Sequence, residues 1–315
     1  MAVGALCVFT PAIAEQNVVD LLMKVQTASQ KVNYTGTFVY HHDGDLETMR
    51  VIHKADDGMV KERIFSLNGA LREIIRDEER VWCYLPEQKM GVHEYRQTTE
   101  KNFPSILPQD MERLFNHYIV KFGDPGRIAN RITQRISIQP KDDFRYGYEL
   151  WADAATGLLL RADLLDQDKS VIEQYAFVEI AINTQINEQD LQPITPRNDL
   201  VWFGPKDPAT GKESDVAGWK VTQMPSGFIL SRDIKRISPM REQPMEHRVY
   251  SDGLASVSVF IEQLRDSSRK KAIKGLSQMG AVHAFGTMID DYQITVMGEV
   301  PEATVSLIGA SVELE

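Results

Sequence analysis

The stretch YGYELWADAATGLLLRADLLDQDKSVIEQYAFVEI, Tyr146 to Ile180, decides the fold, because it sets three apolar runs between two short polar breaks. In the first break, Asp153-Ala154-Ala155-Thr156-Gly157, an Asp can bond its own backbone and a Gly is free to take positive φ, which predicts a hairpin. The second break, Asp166-Gln167-Asp168-Lys169, lies between Leu158–Leu165 and Ser170–Ile180, so the spacing predicts three antiparallel strands in a meander. Alternation along the strands puts Tyr146, Tyr148, Leu150, Leu158, Leu160 and Leu164 on one face. The other face holds Trp151, Leu159, Leu165, Ile172 and Val178 beside Glu149, Arg161 and Asp163. That is too apolar for a plain solvent face and predicts cover on both sides.

On the N-terminal side, Asn33 to Arg96 repeats short alternating runs divided by His42-Asp43-Gly44-Asp45, Asp56-Asp57-Gly58, Asn68-Gly69 and Asp77-Glu78-Glu79. Asp-Gly and Asn-Gly are strong hairpin signals, so about five further strands are expected. An amphipathic helix precedes them, with Val18, Leu21, Leu22, Val25 and Ala28 on one face of VVDLLMKVQTASQKV. In FPSILPQDMERLFNHYIVKF, Pro108 and Asp110 can start a second helix through Met111, Leu114 and Phe115. The first half of the chain thus reads as a strongly curved antiparallel sheet wrapped around helices.

Periodicity breaks from Pro193 to Trp219, where Pro193, Pro196, Pro205 and Pro208 gather with glycines and charged residues. We place a domain at 15–197, a linker at 198–217 and a small α+β domain at 218–315. In the last, strand pairs are expected to turn at Pro225-Ser226-Gly227 and at Asp252-Gly253, with another pair in VHAFGTMIDDYQITVMGEV. PEATVSLIGASVEL reads as a closing helix with Pro301 near its first position and Val305, Ile308 and Val312 on one face. The charge here is lopsided. Trp219 to Lys274 carries 11 Lys+Arg against 6 Asp+Glu, whereas Gly275 to Glu315 has no basic residue and 6 acids. Arg269, Lys270, Lys271 and Lys274 could dock an acidic partner or lipid phosphates, and a solvated loop is the other reading of the same run.

The chain has 315 residues, 43% hydrophobic and 25% charged, an ordinary globular composition long enough for two domains. A formal net charge of -10 argues against a nucleic-acid partner. MAVGALCVFTPAIAEQ is an uncharged apolar segment ending in Ala12-Ile13-Ala14, which reads as a signal peptide cut after Ala14, clipped of its basic start. Leu6 before Cys7 does not fit a lipoprotein signal, and removal of the leader leaves Cys83 alone, with packing its expected role.

Motifs that carry catalysis are missing. The seven histidines are scattered, without H-E-x-x-H, C-x-x-C or paired Cys/His spacing. GLSQMG at Gly275–Gly280 has one residue too many for a G-x-S-x-G elbow and reads as a turn. His41-His42-Asp43 sits at a hairpin tip with no third ligand near it in sequence. No metal or cofactor is expected, and an enzyme is disfavoured. Ser277 and His42 are the only candidates that a hydrolase of envelope lipids would have.

Four stretches are more specific than any of these. YTGTFVYHHDGDLETMRVIHKADDGMVKERIFSLNGALREIIRDEERVWCYLPEQK, the hairpin YELWADAATGLLLRADLL, YSDGLASVSVFIE and MGEVPEATVSLIGASVE together resemble the RseB/MucB family of periplasmic sigma-E (AlgU-type) regulators, over essentially the whole mature chain. The resemblance implies a large domain like the lipoprotein carriers of the LolA/LolB type, an unclosed antiparallel β-barrel with helices over its mouth and an apolar cavity inside. It also implies a periplasmic negative regulator of the envelope stress response. Such a protein binds the periplasmic region of the anti-sigma factor RseA/MucA, shields it from the site-1 protease DegS, and is released by lipopolysaccharide or related lipids. Phe38, Tyr40, Trp82, Tyr84, Tyr148, Leu150, Leu160 and Tyr175 are then candidates for a lipid cavity, with plain core packing as the alternative for each. The competing class is a periplasmic lipid or lipoprotein carrier, although a carrier has no need of a second domain of about 100 residues. Whether the protein forms a homo-oligomer is left open by the sequence.

Overall fold

The computed structural model describes residues 11–56, 58–95, 103–108, 110–204, 218–237, 244–264 and 272–314. The chain is mostly β, with three α-helices among the described residues. Helix α1 (Pro11–Ala28) is followed by β1 (Tyr34–His42), β2 (Asp45–Asp56), β3 (Met59–Ser66), β4 (Glu73–Arg76), β5 (Arg80–Leu85) and β6 (Met90–Tyr95). After α2 (Met111–His117) come β7 (Tyr118–Phe122), β8 (Gly126–Ile128), β9 (Arg131–Pro140), β10 (Gly147–Asp153), β11 (Leu159–Leu165), β12 (Val171–Ile182) and β13 (Val201–Phe203). All thirteen strands form one sheet, ordered β13-β6-β5-β4-β3-β2-β1-β12-β11-β10-β9-β7 with β8 beside β9. The edge strands β13 and β7 do not pair with each other, so the sheet curves without closing.

The turns show why neighbouring strands run antiparallel. Asp153 Oδ1 accepts hydrogen bonds from the backbone N–H and the hydroxyl of Thr156, both at 2.8 Å, and Gly157 takes φ +82° to close the hairpin onto the Asp153 carbonyl. At the other hairpin tip Asp43 and Gly44 both have positive φ and leave His42 opposite Asp45, the two-residue turn that matches strand twist. Asp110 caps α2 by accepting from the Arg113 N–H at 3.2 Å.

The face of α1 read from the sequence is the buried one. Val18, Leu22, Val25 and Ala28 join Leu150, Leu158, Leu160, Ile136 and Tyr118 in one core on the concave side of the sheet. Two polar anchors fix the helix there, Lys24 Nζ to the Ala154 carbonyl at 3.0 Å and Gln26 Nε2 to that of Pro108 at 2.5 Å. On the convex side, cover comes from long polar side chains. Arg161 lies 4.4 Å over the Trp151 ring and forks onto the Asp163 carboxylate.

A second sheet of six strands is ordered β15 (Ile229–Ile237), β16 (Pro244–Ser251), β17 (Ser256–Gln263), β20 (Tyr292–Gly298), β19 (Val282–Ile289), β18 (Gly275–Met279). Helix α3 (Glu302–Ala310) packs on β19 and β20, and Val257, Val259, Ile294, Val296, Val305 and Ile308 make a separate core. Three expectations are corrected here. Gly275–Met279 is an exposed edge strand, paired on one side with β19, and not a turn. Pro225-Ser226-Gly227 does not close a hairpin, because β14 (Trp219–Val221) pairs instead with β21 (Val312–Leu314). Val312 consequently leaves the helix and belongs to that strand. Part of the expected linker is also ordered. Val201–Phe203 adds to β6 as a parallel strand, where Trp202 packs so closely on Gly91 that a Cβ there would lie 2.6 Å from the indole.

Candidate functional site

The concave face of the large sheet is only partly filled. Beside the part covered by α1, a cavity of about 340 Å³ lies over β1–β4 and β10–β12. Strand register explains which side chains reach it, since Tyr40 pairs with Tyr175, Tyr175 with Ala162, and Phe38 with Met49. Tyr40 and Tyr175 stack at 4.3 Å and 14°, and Phe103 stacks on the Tyr175 ring at 5.3 Å. Ile64, Ile74 and Ile106 complete the apolar wall. The middle of the trough is thus aromatic and aliphatic, the character of a site for an apolar ligand, while Arg72, Arg76, Glu173 and Glu299 also line it.

Polar groups concentrate at its two ends. At the mouth, buried Glu173 accepts from the Tyr40 hydroxyl and from the Ala281 N–H, and Ala281 belongs to the β18–β19 turn of the small sheet. Burial, and then the neighbouring Glu299 charge, push the Glu173 carboxyl up to about 7. Glu299 also comes from the small sheet. Although the residue as a whole is exposed, protein packed round its carboxyl raises that group too. Burial likewise lifts the Tyr148 and Tyr175 hydroxyls above their ordinary range. At the inner end Arg76 pairs with Glu62 at 2.7 Å. His53 joins them, with Nδ1 3.1 Å from Glu62 Oε2 and Nε2 2.6 Å from the Ser29 carbonyl at the end of α1. Burial alone would raise the Glu62 carboxyl, but the His53 hydrogen bond and the Arg76 charge overcome it and hold it at about 2.

The two sheets meet in a polar seam below the mouth. Arg145, fully buried, donates to Asp252 Oδ2 at 2.6 Å, to the Ser226 carbonyl at 2.6 Å and to Asp142 Oδ1 at 2.9 Å. The Tyr118 hydroxyl donates to the same Asp252 oxygen at 2.8 Å, and Arg113 reaches the Gly227 and Ser251 carbonyls. Arg113, Tyr118 and Arg145 thus all donate to the two segments 226–227 and 251–252.

The residues singled out from sequence separate into three groups. Phe38, Tyr40, Tyr148 and Tyr175 line the cavity. Leu150 and Leu160 face the same side but are sealed into the core shared with α1. Trp82 and Tyr84 point to the opposite face, where Tyr84 meets Trp202 edge-on at 5.0 Å and Arg197 lies over both indoles. The error is one of register: Ile74 pairs with Cys83, so the concave face of β5 carries odd-numbered residues. Glu173, Glu299, Arg72 and Arg76 were missed, because a charged residue gives no sign in sequence that it faces a cavity, and Phe103 was missed because it lies outside the strands whose alternation was read. Of the basic run, Arg269, Lys270 and Lys271 fall outside the described residues, and Lys274 is exposed ahead of β18. Arg248, counted in the same basic excess, is spent internally on Asp233, Glu246 and the Trp219 carbonyl. No group of three or more metal-binding side chains occurs among the described residues.

Residues 17–195 match the MucB/RseB N-terminal domain model, and 213–313 match the MucB/RseB C-terminal domain model. The chain belongs to the MucB/RseB family. Sigma factor AlgU regulatory protein MucB of Pseudomonas aeruginosa is 29% identical over 310 residues, covering 97% of this chain and 93% of the relative. Sigma-E factor regulatory protein RseB of Escherichia coli is 27% identical over 297 residues, covering 93% and 89%. Among solved structures, MucB in complex with MucA(peri) superposes with a TM-score of 0.72 at 28% identity, covering 95% of this chain and 99% of that one. MucB alone superposes at 0.66.

Proposed function

We propose that this chain is a periplasmic binding protein, not an enzyme, that restrains a sigma-E-type factor. It holds the periplasmic segment of an anti-sigma factor of the RseA/MucA kind, shields it from site-1 proteolysis, and lets go when an acyl-bearing envelope lipid such as lipopolysaccharide enters the concave cavity. The observation that carries the binding half is the end-to-end similarity, both sheets included, to MucB solved with MucA(peri). Residues 15–197 then act as a lipid-holding cradle of the LolA/LolB type, with helices over its mouth, and 218–315 as the smaller docking domain beyond the 198–217 linker. A leader removed after Ala14 leaves Val18, Leu22, Val25 and Ala28 of the α1 core face in the mature chain.

The lipid half rests on the cavity. Swinging a two-state equilibrium from about 1:99 to 99:1 takes roughly 5.5 kcal/mol of differential affinity. Burying about seven methylenes at roughly 0.8 kcal/mol each supplies it. Because Glu173 and Glu299 come from different sheets, a headgroup seated at the mouth touches both, and occupancy is felt at the seam.

A protease-protection assay tests the whole reading. Purified mature protein is added to the periplasmic segment of the cognate anti-sigma factor and its site-1 protease, with and without lipopolysaccharide. The expected result is protection that disappears on adding lipid. Lipid binding without protection would leave a lipid or lipoprotein carrier as the function and discard the regulator.

A further inference from the structure

Register builds an unusual row at the inner end of the trough. Tyr34 pairs with His53, His53 with Glu62, Glu62 with Arg76 and Arg76 with Val81, so four polar side chains cross β1 to β4 in a single line. The next row toward the mouth is Val51, Ile64 and Ile74, wholly apolar. Beyond the polar row lies a second, smaller space of about 90 Å³, reached by Ser29, Val60 and Ser105. Arg76 lines both spaces and stands between them. The row is closely tied together: Tyr34 stacks on His53 at 4.4 Å, and His53 and Arg76 hold opposite oxygens of Glu62.

We infer that this row is a polar stop that sets how long an acyl chain the cavity accepts, with Arg76 as the specificity-determining side chain; the inference rests on the lipid reading above. An apolar chain gains by sliding along Ile64 and Ile74, but its next methylene would have to lie against the largely buried Glu62–Arg76 ion pair and take from it the water it still reaches. At about 30 Å³ for a water-sized group, roughly ten such groups fill the larger space and roughly three the smaller. Removing the stop joins the two spaces and extends the trough by a few carbons.

The test uses the full-length mature protein and saturated fatty acids from octanoate to stearate, competing with a fluorescent fatty-acid probe. For the natural sequence, affinity should tighten by about fourfold per added methylene, then level off once the chain meets the row. In the double variant Glu62→Gln/Arg76→Met, which removes both charges so that neither is left buried alone, tightening should continue, making the longer acids at least about tenfold stronger ligands than for the natural sequence. Arg76→Met alone keeps the Glu62–His53 contact and should move the plateau in the same direction. A plateau at the same chain length in folded variants, or a natural-sequence series that tightens all the way to stearate, would overturn the stop. Failure of every acid to bind the folded natural protein is a different result, which sinks the lipid reading itself and the stop with it.

Discussion

Two α-helices, α1 and the short α2, pack into the core of the large sheet and one packs on the small sheet, yet the large sheet keeps a hollow and the small one has a closely filled core. Geometry accounts for the difference. An 18-residue helix is about 27 Å long, whereas the twelve strands that lie side by side, spaced at about 4.8 Å, extend over roughly 53 Å. Helix α1 fills the concave side over β7–β11 and leaves the β1–β4 side to a few residues around Phe103. Helix α3 meets a sheet less than half as wide, and Gly309 lets it approach until a Cβ would lie 2.3 Å from the Phe285 ring. Binding capacity in this fold is what remains when the helices have too much sheet to cover.

The seam joining the two regions should be the most sensitive point. Asp252→Ala strips buried Arg145 and the Tyr118 hydroxyl of their shared acceptor, leaving Arg145 only the Asp142 carboxylate, and should cost about 2–4 kcal/mol, measured by urea unfolding. If the cost is below about 1 kcal/mol, the sheets are not joined through this pair. The filled and hollow cores can be compared directly. Gly309→Val has to displace Phe285 and should lose about 1–3 kcal/mol in the same assay, although adding a Cβ to a helix glycine ordinarily stabilises it. Ala162→Leu points its extra atoms into the cavity and should change stability by less than about 1 kcal/mol while weakening fatty-acid binding. Equal costs at the two positions would mean that the hollow is not real.

The smallest effect is expected at the mouth and depends on pH. The folded Glu173 carboxyl is raised from 4.5 to about 7, so the protonated form is the one that folding favours. Its contribution is complete below about pH 4.5 and is lost as pH rises through about 7. Glu173→Gln should therefore match the natural protein near pH 4.5 and be more stable by about 1 kcal/mol at pH 8. Thermal melts across that range check it, and a constant difference at all pH values would remove Glu173 as the titrating group.

Much of this architecture can be read from local signals. Asp153–Gly157 and Asp43-Gly44 announce their turns, and the α1 face follows from its period, because each depends on residues close together in the chain. What escaped depends on long-range pairing. Trp82 and Tyr84 look as inward-facing as Tyr40 until β5 is registered on β4, and Gly275–Met279 looks like a turn until β19 is placed beside it. Arg76 and Glu62 are fourteen residues apart and read as surface charges. Only the cross-strand row shows them to be a largely buried pair.

The Trp202–Gly91 contact has a consequence for solubility. An open sheet of this width has two free edges, each a template on which another chain can add a strand. By laying Val201–Phe203 against Met90–Val92, the chain covers half of the β6 edge with a strand of its own, and His93–Tyr95 lie beyond that pairing. The edge is thereby broken into two steps of three residues, each giving a stray strand little to grip, so the packing of Trp202 on Gly91 also guards the sheet against aggregation.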